Sequence, residues 1–187
     1  MPGSEPGVVI AFAGRRIDAP DAEVARFPAS RVDAAEARLE QVMRERGAVA
    51  LVSSAACGAD LVALAVAERL GLRARIVLPF AASRFRETSV TDRGGDWGPR
   101  FDHALERAAA AGDLVVLSGQ EEGSAGYAAA NGAILEEADR LAREHSATPL
   151  AVILWEGAER PDGDLTAALA AAARGRGWEV AEVGTAA

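Results

Sequence analysis

The chain contains no lysine, and its 20 basic residues are all arginine. That removes Schiff-base chemistry, and it removes a P-loop, which needs its lysine on the phosphates. A single cysteine, Cys57, cannot form an internal disulfide, so a reducing cytoplasm is the expected compartment. The two histidines, His103 and His145, form no cluster with Cys57 and carboxylates at metal-ligand spacing, and no metal is expected. There is no G-x-G-x-x-G run, which argues against a nicotinamide dehydrogenase of the usual kind, and no cofactor is expected. Residues 1–7 carry no basic leader region, and no apolar run is long enough to span a bilayer. The arginines are outnumbered by 28 acidic residues, for a net charge of −8. Duplex nucleic acid and an anionic membrane surface are therefore excluded as expected partners.

What is present is a regular alternation of apolar runs and amphipathic stretches. The 187 residues, half of them hydrophobic, suit a single α/β domain over the whole chain, with its core over about residues 8–183. Continuous apolar runs, as expected of strands covered on both faces, fall at 8–13, 48–53, 75–78, 113–118 and 150–155, and 178–183 reads as an edge strand. Helical patterns lie between them. One begins near Ser30-Arg31-Val32-Asp33 as a capped start and ends at Gly47. Others cover 59–70, a short piece around 83–87, a stretch opened by Pro99, and 125–145 and 165–174. Unbroken alternation predicts a Rossmann-like fold: a mostly parallel sheet of five to six strands with helices on both faces. Residues 17–29 read as a long loop, and loops of that length are often functional.

In such sheets ligands sit beyond the carboxyl ends of the strands, where the strand order reverses. Four loops are assigned to that edge: 14–29, 53–58, 79–97 and 119–124. The second is the most informative. Ser54, Ala56, Cys57 and Gly58 are small, and Asp60 opens an almost wholly apolar helix. Free N–H groups at a helix N-terminus form an anion site. The alternative is a tight strand-to-helix turn in which small residues only serve packing. Asp60 either answers the positive end of its helix or holds the turn by bonding to its N–H groups. Cys57 reads as a small packed thiol, because no histidine lies near it in sequence. Arg15 and Arg16 end the first strand, and Arg84, Arg86, Arg93 and Arg100 fall in or just after the third loop, a local basic edge on an acidic protein. Tyr127 and Asn131 continue the buried stripe of the fifth helix, and a buried amide needs a partner, either a ligand group or a loop carbonyl. Glu87, Glu121 and Glu122 are candidate general bases, against the alternative of solvated surface carboxylates.

Several of these motifs together resemble the SLOG superfamily, which joins the DNA-processing-protein-A fold with the Lonely-Guy phosphoribohydrolases. The resemblance rests on Ala13-Gly14-Arg15-Arg16, the run from Ser53 to Asp60, Val77-Leu78-Pro79-Phe80, and Gly126-Tyr127 with Asn131. Phe85, Thr88-Ser89-Val90, Trp97 and Arg100-Phe101 further resemble a bacterial subgroup whose members can be attached to nucleotide-cyclase or repeat modules. The resemblance implies a Rossmann-like domain that senses a nucleotide or nucleotide-derived ligand. Gly14, Arg15, the turn from Ala56 to Asp60 and Asn131 would line its pocket. One departure stands out. The phosphoribohydrolases place a catalytic glutamate after the glycines of the fourth loop, whereas here Glu121 and Glu122 precede Gly123. Binding without turnover, N-glycosidase action on a nucleoside phosphate, and a scaffold with a vestigial pocket all stay open, and a homo-oligomer is compatible with each.

Overall fold

The computed structural model describes residues 6–119 and 122–185. Six strands form one sheet: β1 (Val8–Gly14), β2 (Ala48–Ser53), β3 (Arg73–Leu78), β4 (Leu114–Val116), β5 (Thr148–Trp155) and β6 (Glu179–Gly184). Their order is β4-β3-β2-β1-β5-β6, and every neighbouring pair is parallel. The expected Rossmann-like α/β domain is therefore what the chain forms. Six α-helices connect the strands: α1 (Val32–Glu45), α2 (Ala59–Arg69), α3 (Ala82–Ser89), α4 (Trp97–Ala110), α5 (Ser124–His145) and α6 (Leu165–Gly175).

The pleat explains how both faces are covered. Successive strand residues point to opposite sides. Ile10, Phe12, Leu51, Ile76, Leu78 and Leu154 face a core built with α1, α2 and α4. Their neighbours Val9, Ala11, Val52, Val77 and Ile153 face a second core built with α5 and α6. From β1 the chain steps outward through β2 and β3 to β4 along the first face. It then returns along the second face through α5, past β3, β2 and β1, to place β5 on the far side of β1. A return across three strands explains why α5, at 22 residues, is the longest helix among the described residues.

Several boundaries differ from expectation by a residue or two, and two of the differences are instructive. The start of α1 carries no side-chain cap from Ser30. A short 3₁₀ turn over Ala29–Arg31 follows Pro28 instead, and Arg31 stands at the cap position without a side-chain bond. β4 is three residues long rather than six. Its expected first residue, Asp113, is buried and turns its carboxylate onto Arg73 and Arg75 of β3 (Arg75 Nη2 to Oδ1 2.7 Å). No helix among the described residues is long and apolar enough to cross a membrane.

Candidate functional site

The crossover from β1 leads to β2 on one side, and the crossover from β4 delivers β5 to the other, so the strand order reverses and a crevice opens at the carboxyl ends of β1 and β5. A cavity of about 400 Å³ lies there, within the ordinary range of small-molecule sites. Phe12 to Arg16 of β1 and its continuation form the floor. Tyr127, Ala130, Asn131 and Ile134 of α5 form one wall, Ser54, Ala56 and Asp60 another, and Leu165 and Thr166 open α6 over the end. The loop after β1 closes the rim with Ala22, Val24 and Arg26.

The turn after β2 is held by close approach. Gly14 is required here: a Cβ on it would lie 2.3 Å from the Ala59 Cβ. Gly58 has φ +102, and its Cβ would lie 2.4 Å from the Ile17 nitrogen. The two segments bridge antiparallel, with Ile17 N donating to Cys57 O and Ala59 N to Arg15 O, both at 3.0 Å. Cys57 N donates to Ser89 O at 3.0 Å, and Ala56 N donates to Asp60 Oδ2 at 3.1 Å. Three N–H groups of the turn, those of Ala56, Cys57 and Ala59, are thus spent on the protein's own acceptors. Asp60 does hold its own turn. Its carboxyl is nearly enclosed and has no ion pair among the described residues. Burial pushes it up to about 7, against the opposing pull of the Ala56 N–H and the Arg16 charge. Cys57 is fully buried. Burial raises its thiol above the usual range, and the nearby Arg16 offsets only part of this.

Arg15 is 3% exposed and fully engaged. Its guanidinium meets Glu156 (Nε to Oε2, 2.6 Å), Asp164 (Nη1 to Oδ1, 2.8 Å) and the Ala158 carbonyl (Nη2, 2.7 Å), and it lies over the Trp155 ring. Asp164 in turn caps α6, accepting from Thr166 N and Ala167 N. Burial raises its carboxyl, yet the N–H groups of Arg160 and Ala167, together with Arg15, hold it below the usual range. Arg15 is thereby the pin between β1, β5 and α6 rather than an open cation.

Arg16 is more available. Its Nη2 reaches Cys57 Sγ (3.4 Å) and Asp92. Its Nε is buried in the site with no hydrogen-bond partner among the described residues, and the Ser54 hydroxyl is in the same position. Asn131 Nδ2 donates to the Leu165 carbonyl at 2.8 Å, so the first carbonyl of α6, rather than a loop carbonyl, meets its amide donor. Tyr127 bonds Ser89 through its hydroxyl (2.6 Å) and packs with Phe80 and Phe85.

The other expected residues separate from the cavity. Arg84 is exposed and pairs with Glu122 and Glu87 (2.9 and 3.2 Å); neither glutamate lines the cavity. Arg86 pairs with Asp102, and Arg100 with Asp96. Glu121 lies outside the described residues. Arg93 does line the cavity, donating to the Ile17 carbonyl. Sequence reasoning missed Asp18, Arg26, Arg160, Thr166 and the buried Asp164. The available signal was the turn Pro161-Asp162-Gly163 followed by an aspartate at a helix start, an N-cap pattern on a fifth edge loop. Among the described residues no group of histidine, cysteine and carboxylates could hold a metal ion.

No protein-family model matches the chain, and no curated relative matches it. Among solved structures it is similar to the X-ray structure of DNA processing protein A (DprA) from Streptococcus pneumoniae, at 14% sequence identity and a TM-score of 0.41. The likeness covers 96% of this chain, which spans 59% of that one.

Proposed function

We propose that this domain binds a phosphorylated, nucleotide-derived small molecule in the crevice between the ends of β1 and β5, as a cytoplasmic SLOG-like sensor. The supporting observation is the pair of unpartnered buried polar atoms, Arg16 Nε and Ser54 Oγ, in a cavity lined by five arginines and two aspartates. Buried donors without partners are costly, and an acceptor-rich ligand satisfies both. Arginine suits phosphate because its planar fork delivers paired N–H donors. Of the two aspartates, Asp18 is turned onto the N–H groups of Arg26 and Phe27, and Asp60 sits near neutrality. The apolar surfaces of Val24, Ile134 and Leu165 leave a wall for a base.

Binding is favoured over N-glycosidase action because Glu87 and Glu122 are spent on exposed Arg84, away from the cavity. The test is a thermal-shift screen with nucleoside mono-, di- and triphosphates and cyclic dinucleotides, followed by chromatography for released base. A ligand at about a hundred times its Kd adds about 2.7 kcal/mol, a Tm rise of roughly 5–11 °C for a chain of this size. Arg16→Ala abolishes the shift. A flat screen across all classes overturns the reading, and release of free base replaces it with the hydrolytic one.

A further inference from the structure

Resting on that reading, we infer that the ligand carries two separate phosphate groups, one on either side of a ribose, rather than one phosphate or a contiguous chain. The inference comes from how the arginines of the cavity are sorted. β2 and β5 flank β1 on opposite sides, two strand spacings or about 10 Å apart. Arg16 and Arg93 lie on the β2 side. Arg16 crosses to Cys57 after β2 and to Asp92, and the Arg93 Nε stands 3.9 Å from the same Asp92 carboxylate. Arg26 and Arg160 lie on the β5 side. Arg26 Nη1 is 3.3 Å from Glu156, and Arg160 Nε is 3.9 Å from Asp164.

Each side therefore has more guanidinium than carboxylate: two against Asp92 on one, and three, counting Arg15, against Glu156 and Asp164 on the other. The remaining acids do not reverse this. Asp18 is capped by two backbone N–H groups, and Asp60, in the first turn of α2, accepts from the Ala56 N–H and carries only part of its charge at neutral pH. The four outward arginines are all partly exposed, at 29% for Arg16, Arg26 and Arg93 and 44% for Arg160, so each can turn toward an incoming anion. Phe12, Ala130 and Ile134 lie between the two poles. A single phosphate can engage only one pole. A contiguous diphosphate crowds its charge at one pole and leaves the other facing apolar ligand surface. Two phosphates held apart by a ribose satisfy both.

The experiment is calorimetric titration of the whole chain with nucleoside 3′,5′-bisphosphate, 5′-diphosphate and 5′-monophosphate, each as the adenosine and the guanosine form. The bisphosphate binds at least tenfold more tightly than the 5′-diphosphate, which carries the same number of phosphates. Arg93→Gln and Arg160→Gln each lower bisphosphate affinity about tenfold and erase that preference; the ligand-free Tm of Arg160→Gln is unchanged, and that of Arg93→Gln falls by only a few degrees, from loss of its bond to the Ile17 carbonyl. Equal or tighter binding of the 5′-diphosphate overturns the inference and leaves the nucleotide-binding reading standing. So does a preference that survives both substitutions. Failure of all six nucleotides to bind overturns the inference, and the wider thermal-shift screen then decides whether the nucleotide-binding reading stands.

Discussion

Replacing Asp60 with asparagine isolates what this carboxyl does to the folded protein. Asp60 is held near 7 in the native state, against 3.8 for an ordinary aspartate. Below about pH 3.8 both the folded and unfolded chains keep the proton, and the residue has no effect on the folding equilibrium. Between 3.8 and 7 the unfolded chain is ionised while the native state still binds the proton, so stability falls by about 1.4 kcal/mol per pH unit. Above 7 both are ionised and the deficit is constant, at about 4 kcal/mol. Asparagine mimics the protonated form and still accepts the Ala56 N–H. It therefore removes about 1.5 kcal/mol of deficit at pH 5 and about 4 kcal/mol at pH 8. An unpaired amide N–H costs about 1–3 kcal/mol at either pH, so the clean quantity is the change between them, about 2.5 kcal/mol. In thermal unfolding, the Tm of Asp60→Asn relative to the parent rises by roughly 5–10 °C on going from pH 5 to pH 8. A Tm difference that does not change with pH refutes the reasoning, because it would mean that Asp60 is ionised normally in the folded state. A carboxyl kept at such a cost inside a cavity is what a binding or catalytic site leads one to expect.

Other outcomes follow from the same geometry. Arg15→Met takes the enclosed guanidinium from Glu156 and Asp164, leaving them only the peripheral Arg26 and Arg160, and lowers stability by about 3–5 kcal/mol, measured by urea unfolding; a loss under about 1 kcal/mol would mean that the pin between β1, β5 and α6 is dispensable. Gly58→Ala combines a left-handed backbone with a Cβ 2.4 Å from Ile17 N and costs more than about 1–3 kcal/mol. Gly132→Ala in α5, where nothing lies within 4 Å of the added Cβ, adds about 0.5–1 kcal/mol. The Cys57 thiol, buried and raised, stays unreactive toward a thiol-specific chromogenic disulfide at pH 8 in the native protein and reacts at once in denaturant; prompt native reaction would contradict the packed-thiol reading.

Much of this fold is legible in the residue pattern because its information is local. Strands buried on both faces read as unbroken apolar runs, as in Val9 to Phe12, and helices read as stripes, as in Ile134, Leu135, Ala138 and Leu141. The turn around Gly58 was legible for the same reason, since small residues between a strand and a helix mark a close approach. Where the reading missed, one cause is distant in sequence and the other is a neighbouring proline. Asp113 looked like the first residue of β4, but two arginines of β3 claim its side chain. Ser30 looked like a cap, but Pro28 sets a 3₁₀ turn before the helix can start.

The site was less legible than the fold because strand order is not a local property. Alternation implies a parallel sheet, yet it does not say that β5 lies beside β1. Without that adjacency the loop from Glu156 to Asp164 has no reason to be placed at the cavity, and Arg15 reads as an open cation at the end of a buried strand. Its carboxylate partners are 141 and 149 residues away in sequence. Once β5 is beside β1, a guanidinium in that position must be enclosed, and an enclosed guanidinium must be paired. Arg15 then builds the crevice, and recognition passes to the arginines that the same adjacency leaves half-exposed around it. The turn after β2 shows the same transfer. Its N–H groups, read locally, form an anion cradle. In the fold three of them are taken by Arg15 O, Ser89 O and Asp60, and two buried side-chain atoms beside them, Arg16 Nε and Ser54 Oγ, stand without partners. The substitution that best separates these roles is therefore at Arg16 and not at Arg15. Arg16→Ala leaves the pin between β1, β5 and α6 whole and removes only the contacts to Cys57 and Asp92 within the protein, so loss of nucleotide binding at an unchanged ligand-free Tm reports on the ligand contact.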